Sequence, residues 1–182
     1  VEHVKELKPE MASFDCGSMN WMHSGLFINS PKFLTDCGLL FQETNTKPEI
    51  EAFDPGMIAN AAYYLKKGVL KAPLHFQFCM GCANGIPGST KNLVFMKETM
   101  DQLCPGSTWS CFGVGHSAME MLYAAVAMGG NVRVGMEDNV MYSKGVLAES
   151  NAQFVERAKR VIEEYGNEVA TPDEAREILS LK

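Results

Sequence analysis

The sequence predicts an α/β fold built on a parallel sheet. Three observations carry that expectation. Short strand-like runs alternate with helical stretches along the chain, and strict alternation forces parallel strands joined by right-handed crossovers. A phrase is repeated: KPEMASFDCGSM at 8–19 returns as KPEIEAFDPGM at 47–57, as in a duplicated strand–helix unit. Charged residues also gather where strands end, at Asp15, at Glu51 and Asp54, and at Glu137 and Asp138.

Taken in order, VEHVKELK reads as the end of a helix. Each copy of the repeat is a strand closing on Phe-Asp-x-Gly, followed by a helix, at about 31–43 and 57–67. LHFQFCMG (74–81) alternates and is rich in aromatic residues, which marks a strand, and the turn residues ANGIPGS follow it. Residues 90–103 have helical spacing, and STWSCFGVG (107–115) is a strand running into a glycine turn. Ser117–Met128 is a helix that stops at Gly129-Gly130, and NVRVG (131–135) is a short strand. After a polar loop comes a helix over 151–165. Ser150 and Gln153 are spaced for a capping box, Phe154, Val155, Ala158, Val161, Ile162 and Tyr165 form its apolar face, and Gly166 ends it. Thr171-Pro172-Asp173-Glu174 opens a last short helix.

Five strand–helix units leave two architectures: an open doubly wound sheet, or part of a (β/α)8 TIM barrel. Charge at the C-terminal tips of strands favours the barrel, whose chemistry sits at that rim. A full barrel runs to ~250 residues. The 182 residues then form a single domain, a partial barrel covering strands 4–8 with the N-terminal units missing.

Composition narrows the function. Hydrophobic residues make up 46% and charged residues 21%, the balance of a chain that buries a core. The net charge of −6 argues against a nucleic-acid platform, which needs Lys and Arg against phosphates. No apolar run approaches the ~20 residues of a membrane span, so no membrane partner is expected. The six cysteines lie inside apolar segments, as free thiols do in a reducing cytoplasm. Cys79 and Cys82 have CxxC spacing, but a structural zinc site usually needs a second pair. No HxH or HExxH joins the four histidines.

The richest segment is Asn131-Val-Arg-Val-Gly-Met-Glu-Asp-Asn139. Adjacent carboxylates at Glu137 and Asp138 repel each other unless a cation stands between them. One would hold a divalent metal and the other would pair with Arg133 as an acid/base dyad; the alternative is a surface turn with a satisfied Arg–Asp pair. Glu49 and Glu51 share a face of their strand, and one of them belongs near a ligand at the mouth; the alternative is a charge at the barrel's lower end paired with Lys. Ser13 is placed either to donate to a carboxylate or to form a local turn. Gly113-Val-Gly115-His116-Ser117 suits either an anion at a helix start or a tight turn with Ser117 as the cap.

With these segments in view, the chain resembles the β-keto acid cleavage enzymes. PEMASFDCGSMN, PEIEAFD, NGIPGS, the GVG turn, VRVGMEDNVMYSKGVLAESNAQ and EVATPDEAREIL carry the resemblance over nearly the whole length. The tail is most similar to the branch that cleaves 3-keto-5-aminohexanoate in lysine fermentation. The resemblance implies a cytoplasmic, zinc-dependent (β/α)8 barrel, a homotetramer, that exchanges acyl groups between a β-keto acid and acetyl-CoA. It assigns Glu137 as a Zn2+ ligand, Arg133 and Asp138 as the catalytic dyad, and Ser13 and Glu51 as substrate contacts, with Glu51 meeting the substrate's amino group. It also puts two histidine zinc ligands and a Ser-Gly-Gly loop before residue 1. These 182 residues alone are therefore expected to be poorly active or to serve as a non-catalytic subunit.

Overall fold

The computed structural model describes residues 1–181. In chain order the elements are α1 (Glu2–Leu7), β1 (Met11–Asp15), β2 (Met19–Trp21), β3 (Gly25–Phe27), α2 (Pro31–Thr44), β4 (Lys47–Ala52), α3 (Pro55–Lys66), β5 (His75–Met80), α4 (Thr90–Leu103), β6 (Thr108–Gly113), α5 (Ala118–Ala127), β7 (Asn131–Val132), β8 (Met141–Ser143), β9 (Val146–Leu147), α6 (Asn151–Glu164) and α7 (Pro172–Ile178). The main sheet is parallel, in the order β1-β4-β5-β6-β7. That order follows the chain without reversal, so the sheet lacks the switch point of an open doubly wound fold.

The helices begin where the side chains dictate. Ser30, Asp54 and Ser89 accept hydrogen bonds from the amides of Phe33, Met57 and Asn92 at 3.2, 3.1 and 3.3 Å. Pro31 and Pro55 stand just inside, where a missing N–H costs nothing. Thr171 and Glu174 complete a capping box on α7.

Alternation gives the sheet two unlike faces. Phe14, Ile50, Phe76 and Trp109 form one row, with Phe78 and Cys111 above. This row is buried with Phe41, Ile58, Leu93, Met96 and Met121 of the covering helices, and Phe14 meets Phe41 edge-on at 6.0 Å. The other face is polar. Ser13, Glu49, His75 and Thr108 stand in one row, and Asp15, Glu51, Gln77, Ser110 and Asn131 in the next, nearer the strand ends.

Several expectations are corrected here. The repeated phrase does form adjacent strands, but they pair with a stagger. Met11 lies opposite Lys47 and Asp15 opposite Glu51. Asp15 and Asp54, which the repeat equates, therefore part company: Asp15 ends β1 on the polar face, while Asp54 caps α3. β7 is two residues long, so Arg133 sits just past it, its amide bonded to Cys111 O at 3.1 Å. No capping box forms at Ser150, because Gln153 turns its Oε1 to the amide of Glu149 at 3.0 Å. Val155 and Tyr165 are exposed, and the buried stripe of α6 is Phe154, Ala158 and Val161. Ser117 precedes α5 without capping it, since its hydroxyl donates to Val114 O at 2.9 Å. Two small antiparallel hairpins also form: β8–β9 stands where a polar loop was expected, and β2–β3 lies between β1 and α2.

Candidate active site

Beyond β7 the chain turns sharply. The amides of Asp138 and Asn139 donate to Gly135 O at 3.3 and 3.1 Å, and Gly115 N–H donates to Asp138 O at 2.8 Å. Asn151 Oδ1, at the start of α6, accepts from the amide of Met136 at 2.7 Å. This turn returns Asp138 to Arg133. Arg133 Nε and Nη2 donate to the two Asp138 oxygens at 3.0 and 2.9 Å, a bidentate pair. Nη2 also reaches Glu137 Oε2 at 2.9 Å, and Nη1 reaches Glu51 Oε1 at 3.2 Å. The guanidinium lies over the Phe112 ring, 4.2 Å from its centroid, so its apolar plane is covered while its edges face acids.

Burial separates the three acids. The side chain of Asp138 is 8% exposed and that of Glu51 13%, whereas Glu137 is 83% exposed at the rim. Of the predicted acidic pair, one member is held in the site and the other projects outward with one oxygen on Arg133. Burial raises the Asp138 carboxyl above its usual range, outweighing the bond and charge of Arg133, and Glu137 adds to the rise. Arg133 is held above its ordinary value: burial opposes this, but the bond to Asp138 and the charges of Asp138, Glu51 and Glu137 prevail. Glu51 is pushed up to about 7 by burial and then by Asp15, with Arg133 pulling the other way.

Ser13 donates to Glu49 Oε2 at 3.2 Å, so its carboxylate partner is Glu49 and not Glu51. Deeper in the site, His75 bonds Thr108 through Nδ1 at 2.9 Å and Ser110 through Nε2 at 3.1 Å, and burial followed by the Lys47 charge lowers it to about 4. Cys79 and Cys82 are buried free thiols, both raised by burial, and their CxxC spacing has no redox counterpart here. His116 is exposed in the short turn before α5. Among the described residues no group of three or more His, Cys, Asp and Glu is placed to hold a metal. Glu137 offers one carboxylate, fewer than the three protein ligands of a catalytic zinc site, so these residues by themselves do not fit the ion.

Two residues of this site escaped the sequence reading. Asp15 was visible only as a charge at a strand end, and Gln77 only as a polar residue in an aromatic strand. The parallel register that puts both in the row of Glu51 was the missing signal.

A parallel α/β sheet whose strand ends carry an Arg–Asp pair and further acids holds the kinds of group that acid/base chemistry uses. The chain belongs to the β-keto acid cleavage enzyme family, whose model matches residues 1–181. It is 48% identical to a 3-keto-5-aminohexanoate cleavage enzyme of Fusobacterium nucleatum, across 97% of this chain and 63% of that protein. A second enzyme of that name, from Acetoanaerobium sticklandii, is 41% identical across 96% of this chain and 63% of that protein. The chain thus spans under two thirds of the length of these curated relatives. The solved apo structure of ObcA superposes with a TM-score of 0.83 at 19% identity, covering 95% of this chain and 44% of that one, a likeness of fold. Among the described residues no helix is long and apolar enough to cross a membrane.

Proposed function

We propose that this chain supplies five C-terminal units of a (β/α)8 barrel, as one domain of a cytoplasmic homo-oligomer. That barrel transfers an acyl group between a β-keto acid and acetyl-CoA. The observation that carries the reading is Asp138, buried and gripped through both oxygens by Arg133. A carboxylate raised by burial and fixed by a permanent cation is suited to taking a proton from carbon. Asp138 removes a proton from C2 of the β-keto acid, and Arg133 balances the charge while keeping the carboxylate aimed. The carbanion attacks the thioester carbonyl of acetyl-CoA and CoA thiolate leaves. That thiolate adds to C3 of the adduct, the C2–C3 bond breaks, and C2 takes the proton back. The products are acetoacetate and a new acyl-CoA.

The surplus of acid supports an amino-substituted substrate. Three carboxylates, of Glu51, Glu137 and Asp138, bond one arginine, and Asp15 and Glu49 lie beside Glu51 on the same polar face. Such a site favours cationic ligands. Glu51 would receive the ammonium group of 3-keto-5-aminohexanoate, giving 3-aminobutyryl-CoA, and Ser13 would steady the strand end beside it. Zn2+ fits only as an ion shared between Glu137 and ligands outside this chain, where it would supply Lewis acidity. On its own the chain should be poorly active.

To test the reading, the full-length polypeptide is assayed for acetoacetate formation from 3-keto-5-aminohexanoate and acetyl-CoA, with Asp138→Asn alongside. Product from the native enzyme and its loss in the variant are expected. Equal rates from both would remove Asp138 from the chemistry, and no product from the native enzyme would defeat the reading.

A further inference from the structure

Asp15 takes no part in the chemistry just described, yet it lies against it. It ends β1 directly opposite Glu51 on the polar face, and the two carboxyl groups are within hydrogen-bond reach of each other. Paired strands run only ~4.8 Å apart, so two acids in one row need a proton or a cation between them. Arg133 meets that need for Asp15 only in part: its charge acts on Asp15, while its hydrogen bonds go to Glu51 through Nη1 and to Asp138 and Glu137 through Nε and Nη2. Around the pair stand Glu49 on β4, the Cys79 thiol on β5 with Sγ 3.9 Å from Glu51 Oε2, and the buried thiols of Cys16 and Cys37 on the Asp15 side. None of these brings a positive charge.

A second observation comes from Gln77, next to Glu51 in the same row. Its Oε1 accepts from Ser110 Oγ on β6 at 2.7 Å, so the amide oxygen is already committed. Its Nε2 is buried without a partner, on a residue 1% exposed. Buried donors are nearly always paired, so this one calls for an acceptor atom. Two acids asking for a cation beside a donor asking for an oxygen describe one kind of ligand, a small molecule carrying both an ammonium group and carbonyl or carboxylate oxygens.

We propose that Asp15 is the second carboxylate of the substrate's cation pocket. In the free site Asp15 and Glu51 hold one proton between them; the ammonium group of an amino keto acid displaces it to solvent while Gln77 Nε2 donates to an oxygen of the same ligand. The proposal rests on the acyl-transfer reading and deepens it: the pair, and not Glu51 alone, selects amino-bearing substrates. Burial, opposed by the bond from Glu51, raises Asp15, and burial with the Asp15 charge brings Glu51 up to about 7, as a shared proton requires.

The test uses the full-length enzyme with two ligands, 3-keto-5-aminohexanoate and 3-ketohexanoate, which lacks the amino group. Calorimetry near pH 6.5 in two buffers of different ionisation enthalpy counts the protons released. The native enzyme should release most of one proton on binding the amino ligand and none on binding the other. Asp15→Asn should reduce that release and lower the kcat/KM preference for the amino substrate roughly tenfold, and Asp15→Glu should restore part of both. An Asn variant that keeps both the preference and the proton release overturns the pair, as does one that loses both substrates in equal measure. Proton release needs no variant, so an unreleased proton in the native enzyme overturns it even if Asp15→Asn fails to fold. Turnover of neither keto acid by the native enzyme would instead defeat the acyl-transfer reading.

Discussion

The two faces of the sheet are made by alternate residues of the same strands, and they answer to different physics. On the helix side Phe14, Ile50, Phe76 and Trp109 are held by shape, and what matters is the volume filled. On the polar side Asp15, Glu51, Gln77 and Arg133 are held by partners, and what matters is that each charge or donor meets its complement. The difference teaches where each kind of damage falls. Loss of volume on the first face shows chiefly in stability, whereas loss of a partner on the second shows chiefly in activity.

The sharpest way to break this division is Asp138→Asn. It keeps the size and removes the base, so kcat should fall on the order of 10²–10⁴-fold. Acetoacetate release measures it, and the urea midpoint should move less than for a core truncation. Phe76→Ala strikes the opposite face. It should cost about 3–5 kcal/mol in urea unfolding, while activity per folded molecule holds. A large loss of activity with little loss of stability would erase the distinction between the faces.

Glu51→Gln sharpens the comparison through pH. Burial and the Asp15 charge push Glu51 up to about 7 in the folded chain, against its ordinary 4.5 when unfolded. Between those values the folded state binds the extra proton, so this group's contribution to stability falls as pH rises from about 4.5 to 7. His75 works the other way. Burial lowers it to about 4 in the folded chain, below its ordinary 6.5, so its contribution falls as pH drops through that interval. Urea unfolding between pH 4.5 and 7 should show the Gln variant gaining on the native chain as pH rises, and a constant difference would refute the assignment. The smallest effect belongs to Asp54→Ala. Removing the α3 cap should cost roughly 1 kcal/mol and leave kcat where it was, although the same Phe-Asp phrase at Asp15 reaches the site.

Much of this was legible in the residues. Thr171 announced its helix because caps act within a few residues, and Arg133 announced an acidic partner in the Glu137–Asp138 pair because four or five positions around a glycine is a turn's reach. What stayed hidden was set between strands. The stagger of β1 against β4 is decided by packing across the sheet, so the repeat suggested that Asp15 matched Asp54 when it stands beside Glu51. Gln153 misled for a related reason. A side chain with two amides in range takes the one the local fold presents, and here that is Glu149. The hairpins are only two or three residues per strand, too short for alternation to register.

Ser117 carries a last consequence. A Cβ at Gly81 would come 2.5 Å from its hydroxyl, one at Gly113 2.5 Å from its carbonyl oxygen, and one at Gly88 would collide with its side chain. Two glycines of the loop after β5 and the last residue of β6 close on a single serine, so the segment after β5 and the end of β6 are locked like pieces around a common peg. Anyone reshaping one of these to admit a bulkier thioester would have to redesign the other at the same time, and randomised libraries should vary residues 81–88 and 113–117 together.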